Sequence, residues 1–291
     1  MSQAHRDGGV QPKDERLRGI LRVIGRAAVV ALYDELALAP KPGLVSFIDS
    51  GSHDDMDAHT FMRSLFSLRL YFPSLAVLGA TGSPFEDLER EGVAAEARML
   101  AATGGINTHR GAVFCLGLLC ASAGSVAANG ASLHAAALRR ELMASWGPAL
   151  AKRVGRSSGA HGAVVASRFG LRSAGAEAAL GFPVLFETTL PALLEAQQRG
   201  ATPRQARLQA LFETMAVLDD TNLAHRGGLA GLRHAQHAAR AFLAEGGALR
   251  PNALMHAHAV HADFVARRLS PGGSADMLAA ACWAERVCAW A

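Results

Sequence analysis

The sequence predicts an all-α protein, a single globular multi-helix domain whose helix ends and loops converge on one cleft. Three observations carry this. Half of the 291 residues are hydrophobic, only 6% are aromatic and alanine is abundant, a composition that suits close-packed helices more than a sheet. No segment shows sustained two-residue alternation. Apolar residues recur instead at helical spacing, between glycine pairs, prolines and capping-box patterns that start and stop helices.

Residues 1–16 are polar, hold Gly8, Gly9 and Pro12, and lack the apolar stretch of a secretory signal; they read as a flexible leader to an all-α domain over 17–291. From Leu17 a helix is predicted, with Ile20, Ile24, Ala27 and Ala31 on one face. Arg18, Arg22 and Arg26 line another face, as a solvated stripe or a phosphate-facing one. Pro40 and Pro42 end this helix and hold Lys41 on a stiffened loop, where a phosphate contact is expected. IDSGSHDDMDAHTF then crowds Asp49, Asp54, Asp55 and Asp57 around His53. Such carboxylates repel unless a cation, a basic partner or a proton relieves them, and Mg²⁺ suits one or two carboxylates plus phosphates. The plainer alternative is capping and dipole-friendly acids for the next helix, whose inward face reads Phe61, Leu65, Leu68, Phe72.

Ser83-Pro84-Phe85-Glu86 reads as a capping box opening a helix that carries Glu96 and Met99 on one face and stops at Gly104-Gly105. Asn107 and Thr108 are N-cap types for the apolar helix that follows. Asn107, Thr108, His109 and Arg110 are thereby gathered at a helix N-terminus, an anion site by its free N–H groups and dipole; a capped helix with an exposed arginine is the plainer reading. No charged residue lies between Arg110 and Arg139. Gly117, Gly124, Asn129 and Gly130 interrupt that run, so a buried central helix fits better than a membrane span.

Ser132 opens a further helix ending at Gly147-Pro148, and the Gly/Ser-rich stretch after it, poorest in regular-structure signals, reads as mobile. Thr189 and Pro191 open a short helix, and Thr202-Pro203-Arg204-Gln205 is a second capping box for a helix with Leu208, Leu211, Phe212 and Met215 inward. It stops at LDDTNLAHRGG, which packs Asp219, Asp220, Asn222, His225 and Arg226 at a helix end; the next helix buries Leu229, Leu232, Ala239 and Phe242. His258 and His261 share a face, with His256 nearby, but no cysteine or acid stands at a zinc-ligand spacing from them. Ser270, Gly272, Gly273 and Ser274 form an anion nest before the last helix, with Asp276 in its first turn.

The net charge of +4 comes without a dense basic run interleaved with aromatics, which argues against nucleic acid and suits a small polyanion. Cys115 and Cys120, like Cys282 and Cys288, do not share a helix face, and no CxxC occurs; they read as buried thiols of a reducing cytosol.

PKPGLV, GSHDDMD, EARM with TGGINTHRG, EAALGFP, DDTNLAHRGG and LSPGGSADMLA occur in that order from about Asp34 to Leu278. Together they resemble the triphosphoribosyl-dephospho-CoA synthases, and GLVSFIDSGSHDDMD is more similar to the malonate decarboxylase branch than to the citrate lyase branch. The resemblance implies an all-α enzyme that converts ATP and 3′-dephospho-CoA to 2′-(5″-triphosphoribosyl)-3′-dephospho-CoA and adenine. That product is the precursor of a prosthetic group, passed to a downstream transferase and an acyl carrier subunit. A cytoplasmic enzyme, with a homodimer as an open option and no membrane or nucleic-acid partner, is implied.

Displacement at an anomeric carbon passes through an oxocarbenium-like transition state and needs a base for the hydroxyl, a hydrogen bond or proton for the leaving base, and a fixed triphosphate. On the resemblance, Asp55, Glu96 and Asp220 are assigned to Mg²⁺ (or Mn²⁺) or base work, and Lys41, Arg110 and Arg226 to phosphates. His53 and His109 are candidates for proton transfer. Asn107, Thr108, Glu177, Asn222 and the nest of Ser270, Gly272, Gly273 and Ser274 would bind nucleotide. One departure stands out: Gly175 occupies a position where the family pattern has arginine, and Arg172 is the candidate substitute. Two other readings stay open, a helical metal phosphohydrolase of the His-Asp type, from His53-Asp54, and a non-catalytic helical assembly module.

Overall fold

The structure, a computed structural model, describes residues 12–154 and 161–289. These form α1 (Pro12–Ala37), α2 (Ala58–Ser67), α3 (Tyr71–Ala80), α4 (Phe85–Thr103), α5 (Arg110–Ala128), α6 (Ala135–Val154) and α7 (His161–Phe169). Next come α8 (Ala174–Ala179), α9 (Leu190–Gln198), α10 (Pro203–Val217), α11 (Thr221–Ala244), α12 (Ala253–Ala266) and α13 (Gly272–Cys288). A π turn at Leu185–Thr189 and a 3-10 turn at Gly247–Leu249 complete the set, and no strand occurs among the described residues, so the protein is all-α.

The core is built around α5, against which α1, α3, α4, α6 and α13 pack. Its closest neighbour is α3, because small residues face each other: a Cβ on Gly79 would overlap the Ala121 backbone, and one on Gly124 the Ala76 backbone. Gly117 leaves room for the Tyr71 ring, whose hydroxyl donates to the Val113 carbonyl at 3.0 Å. Gly117 and Gly124, which read as interruptions, thus lie inside a continuous helix and let it approach α3, while Asn129 and Gly130 do end it. By length and composition α5 could cross a membrane, but 72% of its apolar window is buried inside the fold. A second group, α9 and α11 on α10, shares the same continuous core, with Phe212 stacked on Phe242. Trp283 of α13 ties the groups together by donating to the Ile24 carbonyl of α1 at 3.1 Å.

Several local signals resolve differently from their sequence reading. α1 already begins at Pro12, ahead of Leu17, while residues 1–11 of the expected leader lie outside the described residues. The capping box forms at Thr202 but not at Ser83: Pro84 is the N-cap of α4, and the Ser83 hydroxyl turns to Thr81. α6 starts at Ala135, where His134 Nδ1 rather than Ser132 accepts from the Ala137 N–H, and it continues through Pro148 to Val154. The Phe61–Phe72 stretch is divided between α2 and α3. Much of the Gly/Ser-rich stretch is helical as α7 and α8; residues 155–160 lie outside the described residues. Gly228, at φ 62°, breaks α11 into two pieces. All four cysteines are free, three of them buried, and burial pushes the Cys282 thiol up to about 12.

Candidate active site

The loop between α1 and α2 carries the first cluster. Lys41 is only 1% exposed, and its ammonium donates to the Glu35 carbonyl at 2.7 Å and to the Glu35 carboxylate at 2.5 Å. Burial pulls its pKa down, with Glu35 opposing. A lysine expected to meet phosphate is therefore committed to the Glu35 carboxylate, which no local sequence signal singles out. The four loop acids separate by role. Asp57 caps α2 by accepting from Thr60 N–H at 2.8 Å. Asp54 pairs with Arg268, and Asp49 faces His261, which donates from Nδ1 to the Lys41 carbonyl at 2.7 Å. Asp55 is open, its side chain 62% exposed and 3.8 Å from His53.

His53 is pinned on both nitrogens. Arg226 donates to Nδ1 at 2.9 Å, so the ring proton sits on Nε2 and is donated to Ser270 Oγ, also at 2.9 Å. Burial, then the charge of Arg226, lowers its pKa to about 4. This arrangement neither activates Ser270 as a nucleophile nor leaves a ring nitrogen free for proton transfer. Arg226 also donates to the carbonyls of Ser52 and Arg268, so it staples the α1–α2 loop to the α12–α13 turn.

At the junction of α4 and α5, Gly104 adopts the left-handed conformation (φ 70°) that the sequence predicts as the helix stop. Asn107 Oδ1 accepts from the Arg110 N–H at 3.2 Å, but the N-cap position of α5 falls to His109 and not to Asn107 or Thr108, and Arg110 pairs with Glu96 across the turn. His109 is buried; Ser64 Oγ stands 2.7 Å from its Nδ1 and in turn accepts from the Thr108 hydroxyl.

Asp220, 1% exposed, joins two further helix starts. One oxygen accepts from the Asn222 and Leu223 N–H groups of α11, the other from the Ser274 N–H and hydroxyl of α13. Burial raises its pKa against those donors. Gly273 packs against this carboxylate, and Gly272 against the Asn222 amide. Beside them is Asp276, whose carboxyl fills the space that a Cβ on Gly111 would need. Burial, then the charges of Asp220 and Glu35, push its pKa well up. The sequence showed Asp276 only as a dipole-friendly first-turn acid, and nothing local marks its meeting with α5.

Arg172 precedes α8, so it does not share a helix face with Gly175; it pairs with buried Glu177 at 3.2 Å. Glu177 also accepts from the Val184 N–H, and the Arg172 N–H donates to Asp219 at 3.0 Å, which places this motif beside Asp220. Glu96 and Asn107–Arg110 thus gather at the start of α5, and His53, Asp220, Asn222, Arg226 and Ser270–Ser274 at the starts of α11 and α13, whereas Lys41 is held by Glu35, Asp55 stays exposed on the α1–α2 loop, and Arg172 and Glu177 pair at α8. Two surface hollows lie elsewhere, one lined by Glu187, Pro191, Arg199 and Glu213, the other by Arg139, Arg140 and Met143.

No group of three His, Cys, Asp or Glu residues stands ready to hold a metal among the described residues. A carboxylate accepts about four hydrogen bonds, and Asp220 already accepts four, so its oxygens are filled by helix starts. Glu96 is paired with Arg110. Of the three acids assigned to a divalent ion, Asp55 is the most exposed, at 62% against 29% for the paired Glu96.

Residues 21–291 match the family model described as ATP:dephospho-CoA triphosphoribosyl transferase. The chain is 40% identical over 251 residues to a protein of Acinetobacter calcoaceticus, covering 86% of each chain. It is 39% identical over 273 residues to one of Stutzerimonas stutzeri, covering 89% of this chain and 90% of the other. A protein of Pseudomonas fluorescens is 39% identical over 265 residues, 89% of each. All three bear the name "Probable 2-(5''-triphosphoribosyl)-3'-dephosphocoenzyme-A synthase". No solved structure matches the chain.

Proposed function

This chain belongs to the ATP:dephospho-CoA triphosphoribosyl transferase family, and from that premise we propose that it transfers the 5-triphosphoribosyl group of ATP to the 2′-hydroxyl of 3′-dephospho-CoA and releases adenine. The observation that carries the reading is the family match over nearly the whole chain, whose motif segments are the ones gathered at the helix starts. In the transfer, the hydroxyl oxygen bonds to the ribose anomeric carbon as the bond from that carbon to adenine breaks; the hydroxyl loses a proton and adenine gains one. Asp276 supports that proton balance, because burial beside two other acids favours its neutral form, which suits it to serve as an acid toward the leaving base. Backbone N–H groups and the arginines Arg110 and Arg226 supply positive potential for the triphosphate. Mg²⁺, or Mn²⁺ in its place, would neutralise triphosphate charge, held by the phosphates and Asp55.

The malonate decarboxylase branch is proposed from the GLVSFIDSGSHDDMD stretch, with the product passing to a downstream transferase and acyl carrier subunit. A cytoplasmic location is proposed with it, in keeping with the free thiols. The test is mass spectrometry of the protein incubated with ATP, dephospho-CoA and Mg²⁺. Adenine released in step with a heavier CoA species supports the reading. Phosphate release without adenine, as a phosphohydrolase would give, or no turnover, overturns it.

A further inference from the structure

His109 holds a buried nitrogen with no hydrogen-bond partner among the described residues. The Thr108 hydroxyl donates to Ser64 Oγ at 2.6 Å, and Ser64 Oγ lies 2.7 Å from His109 Nδ1. A hydroxyl has a single proton, and with Ser64 already accepting from Thr108 that proton is directed to Nδ1. Nδ1 is then the bare nitrogen of the ring. Burial and the charge of Lys41 lower the His109 pKa to about 3, so the ring is neutral and its proton sits on Nε2. The ring is held from other sides as well: Phe61 meets it edge-on at 4.9 Å between centroids, and the His109 N–H donates to Met99 Sδ at 3.3 Å. Yet Nε2 is buried and has no hydrogen-bond partner among the described residues. Buried N–H groups are almost always paired, and an orphan donor on an oriented ring calls for an acceptor that arrives from outside the chain.

We propose that Ser64 is a positioning residue: with Thr108 it fixes His109 as the neutral Nε2–H tautomer, so that this nitrogen donates to a purine ring nitrogen of the nucleotide substrate. The nucleotide half rests on the transfer reading above. A neutral donor beside an aromatic edge suits an uncharged acceptor, whereas the arginines and helix starts suit phosphate. His109 is on this account a hydrogen-bond donor and does not act as a base.

Long-range proton–nitrogen NMR of histidine-labelled protein tests it, with His109→Gln identifying the His109 signals among the 12 histidines. The free wild type should show a protonated Nε2 and a bare Nδ1, whether or not the protein turns over. Ser64→Ala should give mixed tautomers and lower kcat for adenine release roughly tenfold, with KM for dephospho-CoA little changed, since a misdirected donor loses part of what one oriented donor contributes. Adenosine should move the Nε2 signal and inorganic triphosphate should not. A wild-type ring protonated on Nδ1, or a Ser64→Ala ring with its tautomer intact, overturns the role of Ser64. A response to triphosphate but not to adenosine overturns the base contact. Correct tautomer and adenosine response without adenine release would count against the transfer reading and leave the positioning role supported.

Discussion

Asp220→Asn separates a structural carboxylate from a metal-binding one. The wild-type side chain accepts four hydrogen bonds, two from the start of α11 and two from Ser274 at the start of α13. An asparagine keeps one oxygen and turns an NH₂ toward the other pair of donors, so whichever way it settles, one helix start loses its acceptor. Two hydrogen bonds to a charged group, at about 1.5–3 kcal/mol each, are lost, and the cheaper burial of a neutral amide offsets part of that, leaving a net loss of about 2–4 kcal/mol. For a chain of this size that corresponds to a fall in Tm of about 3–7 °C. Thermal unfolding followed by circular dichroism in EDTA, and again with Mg²⁺, measures it. The drop should be the same in both. If Asp220→Asn melts with the wild type in EDTA and falls behind only when Mg²⁺ is present, the carboxylate serves a cation and the double-cap account is wrong.

The remaining expectations concern the site acids and the arginine substitution. Asp55→Asn should keep its Tm and lose most turnover, because it removes the exposed carboxylate available to a triphosphate-bound cation, while Asp54→Asn, paired with an exposed arginine, should be milder; steady-state rates of adenine release decide between them. Arg172→Ala should raise KM for ATP several-fold and also lower stability by leaving Glu177 buried without its cation, a loss of a charge-assisted bond of about 1.5–3 kcal/mol. Gly175 has only ordinary contacts around it, so adding Gly175→Arg should fit and recover part of KM; a silent Arg172→Ala removes that residue from the site. Asp276 has a folded-state pKa above the ordinary 3.8, so its favourable contribution is full below that value and fades as pH rises through the raised one. Asp276→Asn should therefore gain stability relative to wild type as pH increases from about 4, seen in urea midpoints across pH. A constant difference at all pH values would mean that the carboxyl titrates alike in the folded and unfolded states, against a raised folded-state pKa.

What was legible in the sequence was what depends on neighbours three or four residues away. Helical period, the Thr202 capping box and the glycine stop at Gly104 are made by short-range hydrogen bonds and spacings, so the pattern of residues carries them directly. The same range explains why polar clusters could be assigned to helix ends. Where two local solutions compete, tertiary packing chose: His134 in place of Ser132 as the α6 cap, and a helix that runs on through Pro148. Which ends meet was not legible either. His53 finds Ser270 217 positions away, Asp220 finds Ser274 at 54 and Ser64 finds His109 at 45, and no periodicity encodes those distances. Helical crossings set them, as where Gly79 and Gly124 let α3 and α5 close on each other. Burial then fixed the chemistry: it lowered His53 and His109, raised Asp276, and turned Lys41 toward Glu35, because the cost of a charge depends on what encloses it and the sequence alone does not say what will.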